Sequence, residues 1–454
     1  MSRKIVLLGA GSAVFTTKLI ADLIKSKEAW DLGLVDISEE NLEVARRLAE
    51  RMVRVTGASI RIAATTERRD VLAGSDVVVS TIAVGGRRAW EADVFVPREF
   101  GIYQPVGDSV MPGGISRALR QAPVLVAAAE DIADLCPDAW FFNYANPMTA
   151  NCRAVRKATP VKVIGLCHGV FGVERTLARF IGAAPADVAS IAVGVNHLTW
   201  LLELRWRGLD AWPLVRRELA SQVGEPFDEA LGEAYDDAGA EARSGSVEDS
   251  PFSWELFRLY GAFPAVLDRH VTEFFPEMCR KGAYYGKTLG TEVFSIEGTI
   301  ENGDRNFVRM QEMAFEDAPL PEHLLKGGTG EHEQLLDILM SLWKNQARVY
   351  SVNLPNEGQV RNLPEGAVLE SPALVNGSGF YPLGVGDIPT GIASTLVRRL
   401  ASVELTVDAA LTGNLDLFVQ ALIADGAVTV PKEARRLALA LLDAQKAHLS
   451  KFTD

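Results

Sequence analysis

The chain of 454 residues is longer than one ordinary hydrophobic core supports, so its length predicts two domains or one large domain with an insertion. Hydrophobic residues make up 48% and charged residues 23%, as in an ordinary soluble enzyme. The net charge of −13 argues against nucleic acid as a partner, because binding a phosphate-rich polymer requires a basic surface.

The first 190 residues alternate between short apolar strands and helices. Strands that are apolar on both faces and separated by helices are typical of a doubly wound parallel sheet. The predicted strands are Lys4 to Leu8, Leu32 to Val35, Arg61 to Ala64, Asp76 to Ile82, Trp140 to Tyr144 and Val161 to Leu166, and the predicted helices are Thr16 to Ser26, Glu39 to Thr56 and Ser116 to Leu135. We therefore predict an α/β, Rossmann-like domain over residues 1–190.

The pattern changes beyond about Ile191, and residues 191–454 are predicted to form a mixed α+β, largely helical domain. Ala192 to Asn196 and Thr199 to Arg205 predict a hairpin. The acidic segment Glu225 to Ser250, rich in Gly, Ala and Ser, predicts an exposed loop, and Thr395 to Asp454 is predicted to be nearly all helical.

No targeting or membrane segment is predicted. The first apolar run, Ile5 to Leu8, is too short for a signal peptide, and no later run reaches the roughly 20 apolar residues of a membrane span. The four cysteines, Cys136, Cys152, Cys167 and Cys279, form no Cys-x-x-Cys pair, which favours a reducing compartment. We expect a cytoplasmic protein without a membrane partner.

The first strand ends in Gly9-Ala10-Gly11-Ser12, and a helix follows. Glycine there permits a tight turn and lets a pyrophosphate approach the helix N-terminus. Asp36 ends the second strand, where a carboxylate can bind ribose hydroxyls and repels a 2′-phosphate, so NAD is favoured over NADP. Val14 stands where a third glycine is usual, and a glycine turn without ligand is the alternative.

Polar side chains also follow two later strands. Asn146, within Asn143 to Pro147, could present its amide to a substrate hydroxyl, although Asn-Pro also commonly starts a turn. Cys167 and His168 end another strand, and His197 ends the first strand of the hairpin. A thiolate and an imidazole can hold a borderline divalent ion. The alternative is a buried apolar cysteine with hydrogen-bonded core histidines.

A charged run, Asp268-Arg269-His270, lies in the second half. A carboxylate beside two cations stays ionised and could act as a base. A solvated helix face with ordinary ion pairs is the alternative interpretation.

Together these segments resemble family 4 of the glycoside hydrolases, the NAD- and Mn-dependent glycosidases. The resemblance covers most of the chain and includes GAGS at 9–12, GGISR at 113–117, NYANP at 143–147, CHGV at 167–170, GVNH at 194–197 and FPAVLDRH at 263–270. The Cys-His tetrad combined with the downstream Asn-His pair is its most specific part.

The resemblance implies hydrolysis of an α-glycoside by NAD⁺-dependent oxidation at C3, removal of the C2 proton, elimination at C1, addition of water and return of the hydride. Cys167 and His197 match the metal ligands, and Asn146 matches a residue that binds substrate hydroxyls. Gly9, Gly11 and Asp36 match the cofactor loop, and Ser12 follows Gly11 in the same turn. Residues 191–454 are expected to bind substrate and metal and to form a homodimer or homotetramer.

Two positions depart from other members of the family. Some members have a tyrosine base in the segment that aligns with Val266 to His270, where this chain has no tyrosine, so Asp268 is implied as the base. His168 stands where other members have an aspartate, and it is implied as the acid for the leaving group.

The tetrad resembles that of the uronidase branch, so an α-galacturonide is the expected substrate. A substrate carboxylate favours an arginine with bidentate geometry, and Arg88, Arg117 and Arg269 are the candidates. The alternatives are a neutral α-glucosidase or α-galactosidase of the same family, a simple NAD-dependent 2-hydroxyacid-type dehydrogenase, and a nucleotide-sensing protein without chemistry.

Overall fold

The computed structural model describes residues 2–12, 15–224, 245–325 and 333–452, so most of the predicted loop Glu225 to Ser250 lies outside the described residues. The strands are β1 (Arg3–Leu8), β2 (Trp30–Val35), β3 (Ile60–Thr65), β4 (Val77–Ser80), β5 (Trp140–Asn143), β6 (Val163–Gly165), β7 (Val188–Val195), β8 (Leu198–Trp206), β9 (Leu209–Asp210), β10 (Phe263–Pro264), β11 (Arg348–Pro355), β12 (Val368–Asn376) and β13 (Gly379–Pro382). The helices are α1 (Phe15–Ser26), α2 (Glu39–Thr56), α3 (Arg69–Leu72), α4 (Gly86–Arg98), α5 (Met111–Leu135), α6 (Met148–Ala158), α7 (Gly169–Phe180), α8 (Trp212–Val223), α9 (Pro251–Tyr260), α10 (Leu267–Val271), α11 (Ile296–Phe315), α12 (Glu322–Leu325), α13 (Glu333–Trp343), α14 (Thr390–Thr412), α15 (Leu415–Asp425) and α16 (Pro431–Gln445).

Six parallel strands form the Rossmann-like half in the order β3-β2-β1-β4-β5-β6. This is the usual strand order of dinucleotide-binding sheets. The side chains of β1 from Ile5 to Leu8 and of β4 from Val77 to Val79 are at most 1% exposed, because helices cover both faces of the sheet. The predicted α/β fold class is confirmed, and α2 has the bounds that the sequence predicts.

Antiparallel strands from the second half extend the same sheet. Next to β6 lies β11, followed by β12, β7, β8 and β10. The hairpin of β7 and β8 was predicted, whereas β11 and β12 were missed. Pro355 and Pro372 lie within those strands, and proline removes a ladder hydrogen bond and weakens the sequence pattern of a strand. The boundary near residue 190 stays a prediction.

Helices α14, α15 and α16 form the predicted helical C-terminal region and pack beside α4, α5 and α6. Within this layer an ion pair between Asp93 of α4 and Arg120 of α5 is fully buried, with nitrogen–oxygen distances of 2.5 and 2.7 Å. Ser116 and Gln445 also donate to Asp93, so this pair ties three helices together. In the part of the chain that the structure describes, no helix is long and apolar enough to cross a membrane.

We predict that Arg120→Met lowers the free energy of unfolding by about 3–5 kcal/mol, because it leaves the buried carboxylate of Asp93 without its ion-pair partner. Arg46→Met is the matched control, since Arg46 forms ion pairs with Glu43 and Glu50 on the exposed face of α2 and should contribute less than about 1 kcal/mol. Reversible urea unfolding measures both changes. Equal losses in the two variants would contradict the structural role of the buried pair.

Candidate active site

The turn after β1 requires glycine at two positions. Gly9 has φ +89°, and a Cβ added there would lie 2.9 Å from the backbone of Thr81 and Ile82. A Cβ on Gly11 would lie 2.6 Å from Cβ of Asn41 and 2.8 Å from Oδ2 of Asp36. The backbone therefore comes close to its neighbours at the carboxyl edge of the sheet, as a pyrophosphate-binding turn requires.

Asp36 stands beside this turn. Its Oδ2 accepts a hydrogen bond from Gly11 N at 2.8 Å, and its Oδ1 accepts one from Ser38 N at 3.0 Å. Each carboxylate oxygen has a second lone pair that can accept from a ribose hydroxyl. Ser12 Oγ accepts from Phe15 N at 3.2 Å, and Ile37 next to Asp36 is 92% exposed, which provides an apolar surface for a planar ring.

Three side chains from distant segments form a compact cluster. Ligand atoms of Asp108, His197 and His270 all lie within 4.8 Å of one another. Asp108 lies in the loop before α5, and His270 lies on α10. His197 occupies the two-residue turn between β7 and β8 with φ +68°, and its ring centroid is 4.2 Å from that of His270. One carboxylate and two imidazoles suit a borderline divalent ion.

The protonation of the cluster also suits a metal. Burial lowers the pKa of His270 to about 3, so its ring is neutral at pH 7, and its Nδ1 is buried without a hydrogen-bond partner among the described residues. Burial would raise the pKa of Asp108, but His197, His270 and Arg117 outweigh it and lower that pKa to about 2. A neutral imidazole and an ionised carboxylate are the metal-binding forms of these groups.

Hydrogen bonds orient the cluster. Ser109 Oγ lies 2.8 Å from Nδ1 of His197 and donates to Oδ1 of Asp108 at 2.7 Å. Glu273, fully buried, accepts from the backbone N–H groups of Val106 and Gly107 at 2.8 and 2.7 Å, which fixes the loop that carries Asp108. Burial, together with the nearby Asp108, raises the pKa of Glu273 to about 8. Glu273 is therefore mostly neutral at pH 7 and adds little charge beside Asp108.

Asn146 and Arg117 join this cluster, as a substrate-binding pair would. Asn146 Nδ2 donates to Oδ2 of Asp108 at 2.9 Å, and Arg117 Nε donates to the backbone oxygen of Asn146 at 3.1 Å. The Arg117 guanidinium lies 5.7 Å from the ring centroid of Trp90. Arg88, in contrast, is exposed and pairs with Glu91 and Asp304 at 2.5 Å, so its charge is already compensated.

Cys167 does not belong to the three-residue cluster, although the resemblance implies that it is a metal ligand. Its Sγ accepts from Gly169 N at 3.4 Å, at the start of α7. Within the described residues it forms no group of three metal-ligating side chains with His197. His168 is exposed on the same strand end. The structure thus brings His197 together with Asp108 and His270, and the assignment of Cys167 as a ligand stays a prediction.

Asp268, which the resemblance implies as the base, has a carboxylate that is surrounded by hydrogen-bond donors. It is fully buried, and its Oδ1 accepts from Ser253 N and Oγ at 2.7 and 2.6 Å. Its Oδ2 accepts from Phe252 N at 2.9 Å and from Tyr284 Oη at 2.7 Å. These bonds satisfy the first turn of α9, so Asp268 anchors that helix, and its role as a base stays a prediction.

Arg269 stays beside the cluster. Its Nη2 donates to Thr299 Oγ1 at 2.9 Å, and its Nε is buried without a hydrogen-bond partner in the described ranges.

No sequence pattern singled out Asp108, His270 or Glu273 as members of this cluster and its surroundings. His270 lies in the segment that the resemblance singled out, but Asp268 was chosen there. Asp108 precedes the Gly113-Gly114 motif by five residues, and its loop has no periodicity that would predict a site.

Comparison with known proteins assigns the family. The sequence profile described as "Family 4 glycosyl hydrolase" matches residues 4–183, and that of the "Family 4 glycosyl hydrolase C-terminal domain" matches residues 192–428. The chain is a family 4 glycosyl hydrolase. The resemblance seen in the sequence is therefore confirmed.

Curated relatives of this family 4 enzyme differ in substrate. The chain is 31% identical to an α-galacturonidase of Bacillus subtilis, with 94% of each chain covered. It is 30% identical to an α-galactosidase of Rhizobium meliloti, over 99% of this chain and 90% of the relative. An α-glucosidase of Erwinia rhapontici is also 30% identical, with 94% of each chain covered.

Solved structures of the family share the fold. A solved structure of a Bacillus subtilis protein matches with a TM-score of 0.81 and 29% identity, covering 97% of this chain and 100% of that one. A 6-phospho-α-glucosidase from gut microorganisms, crystallised with NAD and Mn²⁺, matches with a TM-score of 0.78 and 18% identity over 99% of each chain.

We predict that Asp268→Asn destabilises this family 4 enzyme by about 2–4 kcal/mol, because the amide NH₂ would face donors that now bond to a carboxylate oxygen. Tyr284→Phe removes only one of the four hydrogen bonds to Asp268 and should lower the free energy of unfolding by about 1 kcal/mol. Urea unfolding measures both values. An Asp268→Asn protein with wild-type stability but no turnover would support the base assignment.

Proposed function

We propose that this enzyme hydrolyses α-glycosides with bound NAD and a divalent metal ion, which we expect to be Mn²⁺. The observation that carries the proposal is the Asp108–His197–His270 cluster, in which Asp108 accepts a hydrogen bond from Asn146 after β5. The turn with Gly9, Gly11 and Asp36 follows β1 and β2 of the same sheet. The solved family structure with NAD and Mn²⁺ supports it. When bound, NAD would take and return a hydride while the metal polarises a sugar oxygen.

The residues of the chain would position the sugar around these groups. The Asn146 side chain lies against Asp108, where its amide can also bind a substrate hydroxyl. Asp108, His197 and His270 would hold the metal. His168, exposed at the end of β6, is the group we propose to protonate the leaving group, since an imidazole titrates near neutral pH.

For the substrate we propose an α-galacturonide. Arg117 supports this assignment, because its Nε is fixed on Asn146 while its two terminal nitrogens form no hydrogen bond to any described residue. A guanidinium held in this way can receive a carboxylate through two parallel bonds. Arg269 is the second candidate. The α-galactosidase and α-glucosidase relatives, equally similar, support a neutral glycoside as the alternative.

We predict that activity disappears when NAD is stripped from the protein and returns with trace NAD⁺, without accumulation of NADH. The hydride returns to the sugar in each turnover, so the cofactor is regenerated. In D₂O, the product should carry deuterium at C2. A screen of p-nitrophenyl α-galacturonide, α-galactoside and α-glucoside with Mn²⁺ measures turnover. Build-up of NADH equal to the substrate consumed would instead indicate the dehydrogenase.

A separate prediction concerns the metal ligands. His197→Ala and His270→Ala should each weaken Mn²⁺ binding by at least about 10-fold, because each removes a nitrogen ligand. Cys167→Ser should weaken Mn²⁺ binding less than either, since its Sγ is not one of the three clustered ligand atoms. Electron paramagnetic resonance of Mn²⁺ titrations measures all three, with His448→Ala as the control histidine. Loss of binding in Cys167→Ser with normal binding in His270→Ala would favour the ligand set implied by the resemblance.

A further inference from the structure

A cavity of about 330 Å³ opens at the end of β6, where Cys167 and His168 form part of its wall. It lies between α7 and α13 and over the ends of β11 and β12. Its volume is at the lower end of the roughly 300–1,000 Å³ typical of small-ligand sites, which is room for one sugar ring.

The floor of the cavity leads toward the proposed metal site. Ser351 and Pro372 lie on the floor and are paired across β11 and β12. Two residues further along these strands, Asn353 is paired with Glu370 on the same face, because alternate residues of a strand share a face. Buried Glu370 accepts from Asn196 Nδ2 at 3.2 Å, and Asn196 precedes His197. The cavity and the metal site thus share one surface of the sheet.

Aromatic rings line one part of this cavity. Phe171 on α7 is 47% exposed, and the guanidinium of Arg175 lies 4.0 Å from its ring centroid. Tyr350 is held by a 2.9 Å hydrogen bond between its hydroxyl and Ser341 Oγ. The flat apolar faces of such rings can pack against the C–H groups of a sugar ring.

Polar groups line the rest of the cavity. Glu174 and Asp337 contribute carboxylates, and Ser351 Oγ is buried without a hydrogen-bond partner in the described part of the chain. The described lining contains no lysine or arginine, although Arg175 interacts with Glu174 and Phe171, and Arg348 contacts Tyr350, so Asp337 carries the uncompensated negative charge of the lining. Carboxylates accept hydrogen bonds from sugar hydroxyls and repel a second carboxylate.

We propose that this cavity binds the leaving group of the glycoside, and that this leaving group is a neutral, polyhydroxylated sugar residue. The inference rests on the proposed glycosidase function: the metal cluster, Asn146 and Arg117 hold the sugar that is oxidised, and the leaving group extends past Cys167 and His168. The enzyme therefore prefers a disaccharide with a neutral second sugar over one with a second uronic acid.

The first test compares two substrates of the holoenzyme. Both contain the sugar that the p-nitrophenyl screen identifies: one is its methyl α-glycoside, and the other is its disaccharide with galactose as leaving group. Phe171→Ala should raise the ratio of the disaccharide KM to the methyl glycoside KM about 3- to 10-fold, because a ring-stacking contact is lost only with the disaccharide. Phe315→Ala is the matched control: Phe315 is 53% exposed on α11, with Arg47 at 4.7 Å from its ring, and the ratio should not change.

A second test addresses charge. Wild type should favour galactose over galacturonate as leaving group, and Asp337→Asn should reduce that preference about 2- to 5-fold at low ionic strength. Saturation-transfer NMR should detect free galactose on wild type and not on Phe171→Ala. An unchanged KM ratio in Phe171→Ala, or galacturonate as the better leaving group, would overturn the inference. If wild type hydrolysed neither substrate, the proposed function itself would fail.

Discussion

The parallel and antiparallel parts of the sheet meet at one close contact between β6 and β11. Gly165 is paired with Asn353, and Asn353 Nδ2 donates to the Gly165 oxygen at 3.4 Å. A Cβ on Gly165 would lie 2.6 Å from the Met148 sulfur and 2.8 Å from Cβ of Asn353. Only a residue without a side chain lets these strands pair here under α6. Because the sheet continues through this contact, the β7–β8 turn brings His197 to Asp108 from the first half.

The site is stabilised by buried polar groups that satisfy one another. Asp108 accepts hydrogen bonds from Asn146 and Ser109, and backbone N–H groups of its loop donate to Glu273. Behind the His197 turn, burial raises the pKa of Glu370 to about 7 while it accepts from Asn196. Groups fixed before a ligand arrives need little reorganisation during a reaction, which is why such networks are effective at active sites. The same burial keeps His270 neutral, and hence able to bind a metal.

The geometry of α10 explains why Asp268 and His270 have different surroundings. Residues two apart on a helix point to different sides. His270 faces His197, and Asp268 consequently points toward the first turn of α9, where Phe252 and Ser253 donate to it. A charged run that looks like one functional unit in the sequence is thus divided between a site and a structural anchor.

The sequence by itself determined the local features: the strands and helices of the Rossmann-like half, the glycine turn with Asp36, and the family. Each depends on short-range patterns, such as apolar runs and motif spacing. Only the tertiary structure decided which side chains meet. His197 joins Asp108 and His270 because strand pairing over long sequence distances sets that contact. No local pattern records such pairing, since β11 and β12, through which β7 is joined to β6, come after His270 in the chain.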